Sequence, residues 1–278
     1  MSTQLETGTD DLLGRVEDRV AVLTFNRPDR RNALSTGMYD AFDRVLPEIA
    51  ANPDLRVLML TGAGGAFCAG GDVKRMNDNN QAGAPAAESV DDKVADLRRR
   101  QRAVSMALHE LPMPVVAAIP GACAGAGMSI ALAADLRIAS PNALLVTAFA
   151  NVGASGDFGG SWFLTQLVGS ARAKELYFRS PRLTADEALD LGIVNAVVGD
   201  ADPASFEQAA LAWCNEIAAA APIAMTRMKE NLNRATHVDL ATALDAEATN
   251  MVYTMSTADH REAAAAFVEK RTPVFTGE

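Results

Sequence analysis

Residues 114–140 read PVVAAIPGACAGAGMSIALAADLRIAS, and this stretch decides the fold class. The apolar run VVAAI predicts a buried strand, and a glycine-rich loop separates it from a helix made almost entirely of small residues. The second apolar run, LRIAS, predicts another strand. A strand, a helix and a further strand in this order are typical of a largely parallel sheet. The stretch therefore predicts an α/β fold.

The same order of patterns occurs upstream. The runs RVAVLTF and LRVLMLTG, at residues 19–25 and 55–62, predict two more buried strands. Ser35 is suited to cap a helix between them. That helix is indicated by four apolar residues at helical spacing: Met38, Phe42, Val45 and Ile49. From about Pro203 the strand patterns stop and four helical patterns follow. We therefore divide the chain into an α/β core, residues 1–202, and a C-terminal helical region, residues 203–278.

Composition and charge exclude several classes of protein. The chain has 278 residues, enough for one large domain, and no run of about 18 uncharged apolar residues that would span a membrane. The polar, acidic N-terminal stretch lacks the features of a signal or transit peptide, so we expect a cytoplasmic protein. A net charge of -10 argues against a nucleic-acid partner.

Cysteine and histidine usage points away from disulfides and metals. Three widely separated cysteines, Cys68, Cys123 and Cys214, suit small core or loop positions in a reducing compartment. The three histidines lie far from one another and from any cysteine, so no metal-ligand spacing can be written. The sequence therefore predicts no metal site.

The glycine clusters do not match nucleotide-binding motifs. The pattern G-x-G-x-x-G fails at both Gly62-x-Gly64 and Gly125-x-Gly127, and no P-loop pattern is present. The stretch GMSIA, with Ser129 at its centre, is close to a nucleophile elbow, but an elbow must follow a strand directly. Ser129 is therefore interpreted as a structural residue in the first turn of a small-residue helix.

Two glycine-rich loops offer a different kind of binding site. The stretches CAGGD, residues 68–72, and GAGMS, residues 125–129, each connect a strand to a helix. Backbone N–H groups at a helix N-terminus are unpaired and lie at the positive end of the helix dipole, so they can form an oxyanion hole. Tight turns without a ligand are the alternative interpretation.

Several stretches along nearly the whole chain resemble one enzyme superfamily. The stretches FNRPDRRNALS, LTGAGGAFCAGGDVKRM, IPGACAGAGMSIALAADLRIAS and DEALDLGIVNAVV match, in order and spacing, the pattern of the crotonase (enoyl-CoA hydratase/isomerase) superfamily. The resemblance implies a crotonase-like spiral of strand-strand-helix units. It also implies a C-terminal helical region used for trimerisation, in a homotrimer or hexamer. The implied substrate is an acyl-CoA thioester, so coenzyme A would enter as part of the substrate and no separate cofactor is expected.

The resemblance also assigns binding residues. The backbone N–H groups of Gly71 and Ala126 would bind the thioester carbonyl oxygen. Further groups along the chain would contact coenzyme A, two of them, Phe267 and Lys270, from a neighbouring subunit. The groups from the same subunit would be Arg30, Arg31, the carbonyl of Ala69, and Lys74.

Two positions depart from the hydratases of this family, which add water by means of two glutamates. Ser129 and Phe149 occupy those positions here, and neither can transfer a proton as a carboxylate does. The stretch VGASGDFGGSWFL instead resembles the ring-epoxide isomerases of phenylacetyl-CoA breakdown, in which one aspartate falls at the place of Asp157. We therefore expect a double-bond or ring isomerase with Asp157 as the general base.

Other interpretations remain open at this point. Asp157 could simply cap the helix that follows it. If it is instead the general base, we expect an apolar pocket around it that contains Phe149, Phe158 and Trp162. Asp72 and Asp135 are interpreted as cap or turn residues. The alternative functions are a 2-enoyl-CoA hydratase using Asp157 and a bound water, and a catalytically silent acyl-CoA binding protein. A nucleophilic Asp157 would need a supporting histidine that the sequence does not place nearby.

Overall fold

The computed structural model describes residues 3–72, 74, 78 and 89–278. A mobile surface loop is the sequence prediction for residues 77–92, and most of that stretch lies outside the described residues. In the described part of the chain, eleven strands form two β-sheets. Numbered in chain order, they are β1 (Thr3–Leu5), β2 (Leu12–Glu17), β3 (Val20–Phe25), β4 (Val57–Gly62), β5 (Ala66–Cys68), β6 (Val115–Ile119), β7 (Ala122–Ala124), β8 (Leu136–Ala139), β9 (Leu144–Val146), β10 (Leu183–Thr184) and β11 (Ala196–Val197).

Helices separate and cover these strands. A five-residue π-helix, Arg102–Met106, continues the α-helix that ends at Gln101. A 3-10 helix, Phe149–Val152, follows β9. The α-helices described are α1 (Thr36–Ala51), α2 (Val90–Gln101), α3 (Ala107–Glu110), α4 (Ala126–Ala133), α5 (Gly160–Arg179), α6 (Ala185–Asp190), α7 (Pro203–Ala218), α8 (Pro222–Ala235), α9 (Leu240–Met255) and α10 (Ala258–Glu269).

The two sheets are built from a repeated unit. The larger sheet has the order β1-β2-β3-β4-β6-β8-β11, and the smaller has the order β10-β9-β7-β5. Each successive pair, β4 and β5, β6 and β7, β8 and β9, places its first strand in the larger sheet and its second in the smaller. Helix α4 follows the second pair, and α5 follows the third. This spiral of strand-strand-helix units confirms the predicted α/β architecture.

Helix α1 shows why these segments form where they do. The Ser35 side chain accepts a hydrogen bond from the Met38 N–H and so caps the helix. The predicted apolar face is buried, and Phe42 packs 5.8 Å from Phe25, measured between ring centroids. Burying each large apolar side chain of this kind contributes roughly 1.5–3 kcal/mol, and the resulting core fills the space between the sheets and α1. All three cysteines are buried and unpaired, as predicted.

The helices after Pro203 contact the core unequally. Helix α7 buries Phe206 and Cys214 against the larger sheet. Helix α8 is tied to the core by Lys229, whose Nζ lies 2.7 Å from Asp135 Oδ2. Helix α9 buries none of its residues and exposes apolar side chains along its length. In the described part of the chain, no helix is both long enough and apolar enough to cross a membrane.

The two acids interpreted as cap or turn residues both make ion pairs. Asp135 accepts hydrogen bonds from the Val115 N–H and from Lys229, each at 2.7 Å, and so links a strand of the core to α8. Asp72 lies 3.2 Å from the guanidinium of Arg27. Neither pairing was visible in the sequence, because both partners lie far away along the chain.

Candidate functional site

The two predicted glycine-rich loops lie side by side. They follow β5 and β7, which are parallel neighbours in the smaller sheet, so both loops begin at the same end of these strands. Gly70 has a φ of +85°, and a Cβ built on it would lie 2.8 Å from the Ala124 carbonyl oxygen and 3.0 Å from the Ala126 nitrogen. A Cβ on Gly127 would lie only 2.2 Å from the Cys68 carbonyl oxygen. Glycine at these positions therefore allows α4 to begin in direct contact with the first loop.

The two candidate oxyanion donors are the backbone N–H groups of Gly71 and Ala126. Ala126 is the first residue of α4, where an N–H group has no partner within the helix. Among the described residues, no atom accepts a hydrogen bond from either group, whereas the neighbouring Gly125 N–H donates to the Val146 carbonyl. Both N–H groups can therefore donate to a ligand oxygen, and the dipole of α4 favours negative charge there.

Asp157 lies in a tight turn that leads into α5. Its carbonyl oxygen accepts a hydrogen bond from the Gly160 N–H at 3.1 Å. A Cβ on Gly160 would lie 2.2 Å from Ser129 Oγ, one helical turn from Ala126, so this turn packs against the beginning of α4. Asp157 thus lies near the N-terminus of α4, where Ala126 provides a candidate oxyanion donor.

The carboxylate of Asp157 does not cap α5. The N-cap residue is Gly159, and no side-chain hydrogen bond is made at that cap. The Oδ1 atom of Asp157 is buried and has no hydrogen-bond partner among the described residues. The capping interpretation is therefore wrong, and the unpaired oxygen remains available for a ligand.

Burial changes the acidity of Asp157. It raises the pKa of this carboxyl from 3.8 to about 6. Two phenols lie close enough to sense its charge: burial raises the pKa of Tyr177 to about 12, and the Asp157 charge adds to the rise. Burial also raises the pKa of Tyr39 to about 12, against the opposing effect of Arg100. Near neutral pH the site therefore holds an ionised carboxylate beside protonated phenols, an arrangement suited to general base catalysis.

The two tyrosines that sense the Asp157 charge each belong to a stacked aromatic pair. Tyr39 stacks on Phe158 with ring centroids 5.8 Å apart and planes 7° apart. Tyr177 stacks on Phe149 at 5.8 Å and 19°. Trp162, which was expected in this pocket, does not join either pair. In the described part of the chain its ring contacts are with His109, Phe163 and His237.

Tyr177 also lies beside Ser129 and Phe149, the two positions that the resemblance noted above aligns with hydratase glutamates. Its ring stacks on Phe149, and its hydroxyl and the Ser129 hydroxyl both lie beside Gly160. Gly160 provides the necessary room, because a Cβ there would lie 2.7 Å from the Tyr177 hydroxyl. Ser129 itself is buried inside α4, as expected for a structural serine.

The sequence did not reveal the two tyrosines as site residues. Tyr39 lies in an amphipathic helix pattern and Tyr177 near the end of another, so periodicity alone assigns both to ordinary helix positions. Tyr39 stacks on Phe158, 119 positions away in the chain, and Tyr177 stacks on Phe149, 28 positions away. A tyrosine beside a buried apolar stripe is only a weak indication of a site residue in the sequence. The tertiary contacts are needed to show that it lies at the site.

The residues predicted to contact coenzyme A lie at several places. The Ala69 N–H donates to the Arg31 carbonyl at 2.9 Å, so the loops carrying these residues are adjacent. The side chains of Arg30 and Arg31 are exposed, and Arg30 lies 3.5 Å from the exposed Asp29. Lys74 is exposed as well.

Phe267 lies in the last turn of α10, and Lys270 follows its last residue. Phe267 is 86% exposed and Lys270 follows the helix in a left-handed conformation. The structure contains one chain, so their contact with the nucleotide of a neighbouring subunit stays a prediction.

Comparison with known proteins agrees with this arrangement of sheets and loops. The family model for enoyl-CoA hydratase/isomerase matches residues 15–278. The chain belongs to this family. A short-chain-enoyl-CoA hydratase of Clostridium acetobutylicum is 37% identical over 92% of this chain and 93% of its own length. A 1,2-epoxyphenylacetyl-CoA isomerase of Escherichia coli is 35% identical over 96% of this chain and 98% of its own.

Solved structures of this family have the same fold. The crystal structure of an enoyl-CoA hydratase from a Polaromonas species superimposes with a TM-score of 0.86 at 33% sequence identity. The match covers 95% of this chain and 99% of the other. The crotonase-like spiral is therefore shown by sequence and structure together, while the relatives carry both hydratase and isomerase names.

The raised pKa of Asp157 predicts a specific effect on stability. Between the unfolded pKa of 3.8 and the folded pKa of about 6, the folded state binds more protons than the unfolded state. The wild-type protein therefore loses stability as the pH rises through this window. Asp157→Asn removes the charge, so we expect it to be more stable than wild type at about pH 8, with the difference shrinking near pH 4. Urea unfolding at both pH values measures this; lower stability of the variant at pH 8 would restore the capping role.

Proposed function

We propose that the protein is an acyl-CoA isomerase in which Asp157 moves a proton between two carbon atoms of the acyl group. The observation that carries the proposal is the buried, unpaired Asp157 carboxylate with its pKa raised to about 6. It lies near the start of α4, where the Ala126 N–H has no described acceptor. A base and an oxyanion hole are the two components that enolate formation requires.

In the proposed reaction, the thioester carbonyl oxygen accepts hydrogen bonds from the Gly71 and Ala126 N–H groups. Asp157 removes a proton from the α-carbon or γ-carbon, and the electron pair of that C–H bond moves toward the carbonyl oxygen. The protonated Asp157 then returns the proton at the other position. No atom is added and no electron is lost, so the reaction as proposed requires no metal or redox cofactor.

The packing around Tyr177 supports isomerisation over hydration. Addition of water needs a group that activates the water and a group that protonates the carbon. The positions that hydratases of this family fill with glutamates hold Ser129 and Phe149, and both are packed against Tyr177. The similarity to a short-chain-enoyl-CoA hydratase favours hydration as the second candidate. A silent binding protein remains the third.

A panel of 2-enoyl-, 3-enoyl- and aryl-acetyl-CoA thioesters in deuterated water tests the proposal. We expect deuterium to enter the α- or γ-carbon and double bonds or rings to rearrange without a gain of water. A 3-hydroxyacyl product from a 2-enoyl thioester would identify a hydratase. Thioester binding with no exchange at all would identify a binding protein.

We also propose that α9 and α10 form a subunit interface in a homotrimer or hexamer. Several of their large apolar side chains are exposed in the single chain, among them Leu240, Val252 and Phe267. Apolar surface of this extent is typical of a protein contact. Sedimentation at micromolar concentration should show a trimer or a dimer of trimers, and a stable monomer would contradict the proposal.

A further inference from the structure

The position of the Asp157 carboxylate is set through its backbone. Its Oδ1 atom makes no hydrogen bond within the described part of the chain, so no hydrogen bond to that oxygen holds the side chain in place. The next residue, Phe158, has a φ of +50°, a left-handed conformation that a bulky residue rarely adopts. Such a conformation persists only where surrounding contacts hold it.

Two distant contacts hold Phe158. Its ring is 1% exposed and stacks on Tyr39 of α1. Its backbone N–H donates a hydrogen bond to the side-chain oxygen of Gln101 at 2.8 Å, across 57 residues of sequence. Gln101 is the last residue of α2 and directly precedes the π-helix Arg102–Met106. Single π-turns within helices often occur at functional sites.

We propose that Gln101 is a positioning residue, whose side-chain oxygen holds the Phe158 N–H and thereby places Asp157 for proton transfer. This inference rests on the proposed function, because it requires Asp157 to be the base. A neutral acceptor suits the location. A glutamate would instead place a second negative charge at the Phe158 N–H, one residue from Asp157.

Two substitutions separate the hydrogen bond from simple packing. Gln101→Met keeps a long side chain but removes the acceptor, and Gln101→Glu keeps an acceptor oxygen and adds charge. The control is Gln208→Met, on the exposed face of α7. The probe is a 3-enoyl-CoA thioester, and the readouts are kcat, KM, the pH profile of proton exchange and the unfolding temperature.

We expect Gln101→Met to lower kcat by roughly 10- to 100-fold with little change in KM or unfolding temperature, because small misplacements of a catalytic group have effects of this size. Gln101→Glu should recover kcat at alkaline pH. Its loss of activity on acidification should begin at a higher pH than in wild type, because the added charge raises the pKa of Asp157. Gln208→Met should match wild type in all four readouts.

Two outcomes would overturn the inference. One is wild-type kcat in Gln101→Met, and the other is a Gln101→Glu variant whose pH profile equals that of wild type. The Gln101→Glu test can be carried out even if Gln101→Met fails to fold. Asp157→Asn separates this from the proposed function: proton exchange at the wild-type rate in Asp157→Asn contradicts the function itself. An inactive Asp157→Asn beside a fully active Gln101→Met contradicts only the role of Gln101.

Discussion

Asp157→Asn is expected to lower kcat by about 10²- to 10⁴-fold, the usual contribution of a general base. Asparagine has nearly the same size and cannot accept a proton at neutral pH. The proposed oxyanion donors are backbone groups on other loops, and the Oδ1 atom of Asp157 holds no described residue in place, so binding of the thioester should persist. The measurement is proton exchange into deuterated water together with isomer formation, and binding of the thioester is followed separately by calorimetry.

The control for this variant is Asp40→Asn, an exposed aspartate on α1 next to Tyr39. It changes the net charge by the same amount without touching the buried carboxylate, so its kcat should equal that of wild type. Asp157→Asn that still exchanges the α- or γ-proton at the wild-type rate would remove Asp157 from the mechanism. Equal losses in both variants would point to a general charge effect.

Wild-type activity should also depend on pH through Asp157. A base must be ionised, and burial raises the pKa of this carboxyl to about 6. Activity is therefore expected to fall as the pH decreases through about 6, and the acid limb should be absent from the residual activity of Asp157→Asn. A free aspartate would show this limb near its ordinary value of 3.8.

Gly127→Ala is expected to damage both stability and activity. A Cβ there would lie 2.2 Å from the Cys68 carbonyl oxygen and 2.8 Å from the Cys68 carbonyl carbon, and backbone atoms cannot rotate away. Alanine gains at most about 1 kcal/mol over glycine in helix propensity. Overpacking costs about 1–3 kcal/mol and occasionally more, so the collision outweighs the gain.

The same collision should disrupt the proposed oxyanion hole. Helix α4 would have to move away from residues 68–70, which would separate the Ala126 N–H from the Gly71 N–H. Losing one oxyanion donor lowers kcat by about 10²- to 10³-fold. Urea unfolding and kcat are the two measurements. The control is Gly37→Ala in the first turn of α1. The Cβ would come closest to the Thr9 side-chain oxygen, at 2.9 Å, and a hydroxyl can turn aside; its other neighbours would lie at ordinary contact distances of 3.5 Å or more.

Gly37→Ala should leave both quantities near wild type. Wild-type stability and kcat in Gly127→Ala would show that α4 can shift without consequence. The close packing of the two glycine-rich loops would then have no role in catalysis.

The local patterns determined the repeating architecture. Largely apolar stretches of five or six residues marked β3, β4 and β6, and the spacing of Met38, Phe42, Val45 and Ile49 marked the buried face of α1. These features are short-range, since a strand or an amphipathic helix must bury one face whatever it packs against. The two glycine-rich loops were also visible in the sequence, because each is a short continuous stretch between a strand and a helix. The departures at Ser129 and Phe149 likewise needed only the order of residues.

Tertiary structure alone decided the environment of Asp157. The sequence left open whether this aspartate caps a helix, and the structure places Gly159 at the cap and leaves the buried carboxylate oxygen unpaired. The Gln101 side chain and the Tyr39 ring reach the turn from helices more than 50 residues away in the chain. The pKa of a carboxyl depends on how much water its neighbours exclude, and those neighbours come from separate segments. Residue order therefore specified a spiral with two glycine-rich loops, and only the packing of its helices determined how Asp157 is buried and held.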